Sequence, residues 1–410
     1  MQLTQLLNVA LLLAGATVEA GPLLKAATEQ PSTKLLNLAN ATLEQISDNA
    51  LTVAKSRIAS NSTNGCTKDN VTVRKYWGDL TSEERIAYTD AVLCLQKSEP
   101  KTPSALAPGA KTRYDDWVAA HINQTNYIHF NAQFLGWHRW FTWEYEQALR
   151  TECNYTGAQP YWDWTKTAKT GLAKSPLFDG SATSLSGDGF LLNYSSTDQI
   201  IVNGDTDYPT YLTPGTGGGC VMSGPFVNMS VNLGPDGLSI LNGKSDNSSY
   251  KFEYNPRCLK RSLTDDSNQR FANESSVLTL LTEPQDIYTF EFVMQGYPNT
   301  DQLGVHGGGH FSLGGDPGRD LYVSPGDPAF FTHHANIDRV WWMWQMQDPE
   351  TRTAGASAVS GPYTMNDLFE PHRNGTIDDV LNVGYVAPDT TFKLAELLDT
   401  TTGPFCYIYE

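Results

Sequence analysis

The chain has 410 residues, 40% of them hydrophobic, and its ten tryptophans argue for a dense globular interior rather than a disordered one. Its formal net charge of −17, with no Lys/Arg-rich patch, repels phosphate backbones and excludes nucleic acid as a partner. No run beyond the N-terminal segment approaches the roughly 20 apolar residues that a membrane helix needs, so no membrane partner is expected.

The apolar stretch Leu6 to Ala16 is too short to span a bilayer, and Val18-Glu19-Ala20 offers small residues for cleavage. Residues 1–20 therefore read as a secretory signal. Residues 21–60 carry apolar side chains at helical spacing, and a second helix is predicted from about Thr81 to Leu95, with Ser82 and Glu84 near its start. Residues 115–150 are aromatic-rich and mostly helical in pattern. From about 168 to 270 the texture turns to Gly, Ser, Asn and Thr, which predicts a long, loop-rich insertion inside a single domain spanning 21–410. Regular structure resumes near Leu278 and includes Asp327 to Gln347, where Asp327 is a plausible N-cap and Pro328 a first helical residue. Strand-like runs are short, so the fold class is mainly α.

Ten N-x-[ST] sequons occur, at Asn40, Asn61, Asn70, Asn123, Asn154, Asn193, Asn228, Asn247, Asn273 and Asn374. With the signal they predict a secreted, extracellular glycoprotein. Asn123, two residues from His121, is expected to be too enclosed for modification and the other nine to be accessible. The six cysteines include no CxxC, so three structural disulfides are expected, one of them closing the loop between Cys220 and Cys258.

Seven of the eight histidines fall in two windows, 121–138 and 306–334, a clustering that points to a metal site. In the first, His121-x7-His129-x8-His138, nine residues of helix turn through about 900° and would place His129 and His138 on opposite faces. His129 is therefore predicted in a connection, with Asn123 to Tyr127 as the turn and His138 on the next helix. In the second window His306 and His310 share one helical face, as two ligands of one ion must. Gly307, Gly308 and Gly309 lie between them, each costing about 0.8–1.0 kcal/mol against Ala in a helix. Open space above the metal is the expected compensation. Zinc proteases share this spacing but need Glu after the first His, where this chain has Gly307. A third ligand comes from His333 or His334, between which spacing alone does not choose. Asp338, four residues beyond His334, is placed to support a ligand or to pair along the helix. His372 reads as a surface residue.

These residues resemble the tyrosinase, catechol oxidase and hemocyanin superfamily of type-3 copper proteins, closest to its short secreted fungal oxidases. The stretches that carry the resemblance are His129-x8-His138-Arg139-Trp140-Phe141 with Glu144, Pro160-Tyr161-Trp162-Asp163-Trp164, His306-x3-His310, and Asp327-Pro328-x-Phe330-x2-His333-His334-x3-Asp338-Arg339. The resemblance implies a four-helix core around a copper pair. One copper would be held by His121, His129 and His138 and the other by His306, His310 and His334, with His333 left in support. It also implies oxidation of small phenols, with O2 as co-substrate. Tyr127 stands where relatives often have a cysteine bridged to a histidine, so that bridge is not expected. Gly307 replaces a common Asn, and the usual glutamate upstream has only Glu291 and Gln302 as candidate counterparts for holding a water. Gly307 and Phe311 are expected to meet the substrate. Tyr407-x-Tyr409 resembles the motif that closes the tyrosinase core, and no C-terminal shielding domain is expected after it. The expected activity is oxidation of catechols to o-quinones with reduction of O2 to water. The alternatives are a tyrosinase that also hydroxylates monophenols, and an oxygen carrier of hemocyanin type.

Overall fold

The computed structural model describes residues 41–60, 65–202, 207–238, 241–242, 250–297 and 300–410. The signal predicted over 1–20 and the sequons Asn40, Asn61 and Asn247 lie outside the described residues. From Ala41 onward the chain forms one compact, mainly helical unit.

Helix α1 (Leu43–Ser60) buries Ile46, Ala50, Ala54 and Ile58, the i, i+4 stripe of its apolar pattern. Helix α2 (Ser82–Leu95) starts where the sequence signals it. The Thr81 hydroxyl accepts from Glu84 N, and the Glu84 carboxylate accepts from Thr81 N at 2.7 Å. Helices α3 (Asp115–Ile128) and α4 (Phe134–Glu152) follow, and α4 is buried on nearly all sides. The predicted turn at 123–127 does not form. Thr125 Oγ1 donates to His121 O within the helix, and Asn126 Oδ1 accepts from Tyr322 OH, so these turn-prone polar residues find partners while staying helical. The break comes at His129, whose backbone is extended (φ −128°, ψ 147°). Phe130 after it is left-handed at φ 47°, costly for an aromatic residue. That strain is held on both sides: Phe130 N donates to Gln295 Oε1 at 2.7 Å, and its carbonyl accepts from Asn366 N at 3.1 Å.

After α5 (Trp164–Thr170), the described residues up to α6 (Asp265–Phe271) form loops and short hairpins, such as Ile200–Val202 against Thr210–Leu212. Arg261 closes it onto the core. Its guanidinium is fully buried and meets both oxygens of Asp327 at 2.7 Å. Helices α7 (Glu274–Thr282), α8 (Ile287–Gln295) and α9 (Gly304–Leu313) precede the central α10 (Ala329–Gln345), buried along its whole length. Asp327 also accepts from Ala329 N at 2.9 Å, so it serves α10 as a cap, with Pro328 one position before the first helical residue. α10 packs against α4 and α9, and α3 against α4, which brings the four histidine-bearing helices into one core.

Three disulfides join Cys66–Cys406, Cys94–Cys153 and Cys220–Cys258. The strands Thr72–Arg74 and Tyr407–Tyr409 pair in parallel, beside the first disulfide. No helix among the described residues is long and apolar enough to cross a membrane. Asn70, Asn154, Asn193, Asn228 and Asn374 are exposed and Asn273 is half-buried. Asn123, expected to be enclosed, is exposed as well, because its helix turns that face outward.

Candidate metal centre

Two histidine groups meet at the centre of the bundle. His121, His129 and His138 each offer a ligand atom within 4.8 Å of the others, and so do His306, His310, His333 and His334. The groups face each other: the rings of His138 and His334 stack with centroids 4.6 Å apart, and those of His129 and His306 lie 5.8 Å apart.

Backbone carbonyls orient the rings. Nδ1 of His121 lies 2.8 Å from Tyr322 O, that of His129 3.0 Å from Thr125 O, that of His138 2.8 Å from Phe134 O, and that of His310 3.1 Å from Gly318 O. Each contact fixes the tautomer, with the proton on Nδ1 and the Nε2 lone pair directed inward. Nε2 of His121, His138 and His306 and Nδ1 of His334 are buried without a hydrogen-bond partner, while Nε2 of His310 faces Nε2 of His334 at 3.2 Å. Burial, and then the neighbouring rings, holds His121, His138, His306 and His334 well below the ordinary imidazole pKa. Burial brings His129 and His310 down to about 4. Neutral imidazoles with unshared, inward lone pairs and no carboxylate among them fit a pair of copper ions.

His333 differs. Its Nδ1 accepts from Trp164 Nε1 at 3.0 Å, which places the ring proton on Nε2, and Nε2 lies 3.0 Å from the carbonyl of His306. Both nitrogens are engaged, so His333 links Trp164 to the backbone of α9. Asp338 touches none of the histidines. It accepts from Arg139, Arg74, Tyr407 and Tyr409, one helical turn away from them.

The three glycines of α9 do different things, which corrects the expectation of open space at all three. A Cβ on Gly309 would run into the His333 ring, and one on Gly308 would come within 2.7 Å of Phe271 Cβ. These two let α9 approach its neighbours closely. At Gly307 a Cβ would meet only Leu303, with Cβ at 3.1 Å, and Gly307 lines the cleft that leads to the histidines. Gly309→Ala is accordingly expected to lower the unfolding free energy by about 1–3 kcal/mol, the usual cost of overpacking. Gly307→Ala should be close to neutral, because the gain of about 0.8–1.0 kcal/mol in helix propensity offsets the tight contact with Leu303 Cβ. Urea unfolding of the two variants measures the difference.

The cleft has a volume of about 1310 Å³ and is reached by His129, His306 and His310. Phe311 lines it while packing against the apolar cluster that includes Phe271 and Leu303. Gln302 lines it too, exposed, with Nε2 on Asp301 Oδ1 at 2.9 Å. Glu291 does not line the cleft. Its carboxyl is buried, pushed well above the ordinary carboxyl pKa by that burial, and takes a backbone hydrogen bond from Leu135 in the first turn of α4. His372 is exposed, as expected, but stands at the cleft mouth beside Asp367. Sequence reading missed Phe130, Arg319 and the 360–374 segment as cleft walls, because no local pattern joins them to the histidines.

A bundle whose core presents two facing sets of neutral histidines, open to one cleft, has the ligand set of a dinuclear metal site. The family model of the common central domain of tyrosinase matches residues 111–347, and the chain belongs to this family. It is 40% identical over 350 residues to Tyrosinase P of Aspergillus terreus, covering 83% of this chain and 92% of that one. It is 38% identical over 355 residues to an N-acetyl-6-hydroxytryptophan oxidase of Emericella nidulans, covering 84% and 94% of the two chains. A mutant polyphenol oxidase from Thermothelomyces thermophila superposes with a TM-score of 0.80 at 40% identity, over 92% of this chain and 98% of that one. Membership implies a dinuclear type-3 copper site and an oxidoreductase of the polyphenol oxidase class, acting on phenols with O2.

Proposed function

We propose that this chain is a secreted catechol oxidase, in which two catechols and one O2 give two o-quinones and two waters. His121, His129 and His138 hold one copper and His306, His310 and His334 the other. His333 is left out because both its nitrogens are spent. When bound, the copper pair supplies the two-electron acceptor for each catechol and the site at which O2 is reduced. The protein's own groups do the rest. Carbonyls of Thr125, Phe134, Tyr322 and Gly318 aim the imidazoles and burial keeps them neutral, while Phe311 offers a face on which a phenol ring can stack. The exposed sequons and three disulfides support secretion, and the single-domain reading of 21–410 accompanies it.

The observation that carries the choice of catechols is Gly307. Hydroxylating a monophenol requires removal of a proton whose reference pKa is about 10. At the cleft face of α9 Gly307 presents no side chain to hold a water for that task. Gln302 is a neutral amide bonded to Asp301, and Glu291 is buried on α8 against Leu135 and does not line the cleft. Catechols are more acidic and suffer less. Catechol oxidation should therefore be efficient, and tyrosine hydroxylation slow and lagging. Gly307→Asn should raise the monophenol-to-diphenol rate ratio several-fold, since a Cβ there meets only Leu303 and Gly307 lines the cleft. Initial rates on tyramine and dopamine test both statements. If the wild type hydroxylates tyramine as fast as it oxidises dopamine, the full tyrosinase reading replaces this one, and the name of the A. terreus relative already points there. A cleft this wide is unlike the shielded site of an oxygen carrier.

A further inference from the structure

The cleft above the histidines is wide, with a volume of about 1310 Å³ where sites for drug-sized ligands run to about 300–1,000 Å³. Apolar side chains stand around it, and several face solvent: Tyr288 is 42% exposed, Tyr297 39% and Leu368 67%. Width alone therefore does not separate a free phenol from one carried on the surface of a polymer.

One edge of the opening is built rigidly. Residues 361–363 pair with 373–375: Tyr363 N donates to Arg373 O at 2.8 Å, and Gly375 N to Gly361 O at 3.0 Å. The Arg373 guanidinium is forked by Asp379 at 2.7 and 3.1 Å and lies 3.7 Å over the Tyr363 ring. Asp379 also accepts from Thr376 N at 2.7 Å. Asn374 sits within this braced pair, exposed and lining the cleft, and it opens the sequon Asn374-Gly375-Thr376. Among the described residues none bonds its side-chain amide. Other sequons differ: Asn70 Nδ2 donates to Gly65 O, and Asn273 Oδ1 accepts from Ser276 N to cap α7. Among the described residues no other sequon asparagine lines the cleft.

We infer that Asn374 carries an N-linked oligosaccharide, and that this glycan keeps polymer-borne phenols out of the cleft while small free phenols pass. The inference rests on the secreted polyphenol oxidase proposed above and adds the size class of its substrates. In the linkage step Asn374 Nδ2 bonds to the anomeric carbon of an oligosaccharide carried on a lipid diphosphate. The bond from that carbon to the diphosphate oxygen breaks, and one amide proton is lost as the diphosphate leaves. The attached group is bulky and hydrated. Its anchor belongs to a paired ridge and not to a free loop, so it stays at the mouth. A protein surface must bring its side chain down to the histidines past that bulk, whereas a single ring needs only a gap.

The test uses the copper-loaded chain secreted by a filamentous fungal host, in which peptide mass spectrometry should find the glycan on Asn374. Two substrates are compared, 4-methylcatechol and serum albumin acylated with 3-(3,4-dihydroxyphenyl)propionate. Thr376→Ala removes the sequon at an exposed side chain that does not line the cleft, and Thr376→Ser retains it. Thr376→Ala should raise kcat/KM for the albumin-borne catechol about tenfold, the scale on which encounter rates shift among variants of one interface. Its rate on 4-methylcatechol should not change, Thr376→Ser should behave as wild type, and Asn374→Gln should show the same gain on albumin. A bare Asn374 overturns the inference, as does a Thr376→Ala enzyme no faster on the albumin-borne catechol. Equal gains on both substrates also overturn it. Albumin acylated with 3-phenylpropionate, which has no oxidisable ring hydroxyls, adds a readout besides activity. Surface plasmon resonance should show it binding Thr376→Ala more tightly than wild type. If neither catechol is oxidised while that binding difference remains, the oxidase reading falls and the glycan filter stands.

Discussion

His334→Ala is expected to lose one copper per chain and to lower catechol oxidation by at least about a thousandfold, because a two-metal reaction cannot run on one ion. His138→Ala should do the same from the other set. His333→Ala should retain both coppers. Its cost falls on stability, since it strands the Trp164 indole N–H, now 3.0 Å from His333 Nδ1, in a fully buried position and opens a void beside α9. An unsatisfied buried donor and a cavity together cost about 2–5 kcal/mol. Metal analysis and urea unfolding of the three purified variants separate these outcomes. Retention of both ions by His334→Ala, with loss of one by His333→Ala, would reverse the assignment.

Asp338→Ala should be among the most destabilising substitutions in the chain while leaving the histidines in place. The carboxylate accepts from Arg139 Nε at 2.6 Å, Tyr407 OH at 2.7 Å and Tyr409 OH at 2.5 Å, with Arg74 Nη1 at 3.4 Å. Arg74 keeps Glu146, but Arg139 would be left with carbonyls and the Gln345 amide. Removing one partner from a buried ion pair costs about 3–5 kcal/mol, because the remaining charge is stranded away from water. In the strand Tyr407–Tyr409, Tyr407 would lose its anchor as well, while Tyr409 OH would keep only Arg74 Nη1 at 2.9 Å. A loss in urea unfolding free energy below about 1 kcal/mol would show that the network contributes little to holding this strand.

The sequence alone carried the helical class and the clustering of the histidines. His306 and His310 are one helical turn apart, and that spacing needs no tertiary information to place both on one face. The Thr81–Glu84 capping box and the Asp327 start of the central helix are equally local signals. The turn at 123–127 was misread for the complementary reason. Asn and Thr favour turns only while their side chains lack helical partners, and Tyr322, 196 residues away from Asn126, supplies one.

Only the tertiary structure decided which of two adjacent histidines has a nitrogen to spare. The donor that occupies His333 comes from Trp164, 169 residues away, and no spacing rule within the 333–334 pair reports it. It likewise separated three identical glycines into two close-packing positions and one on the cleft, because what a Cβ would meet is set by Phe271, His333 and Leu303 on other turns and elements. It placed Glu291 against Leu135 of α4 and brought Arg319, Phe130 and the 360–374 segment around the same opening. Helix periodicity is written in neighbours along the chain. Hydrogen-bond satisfaction, steric room and the shape of a cleft depend on neighbours across space.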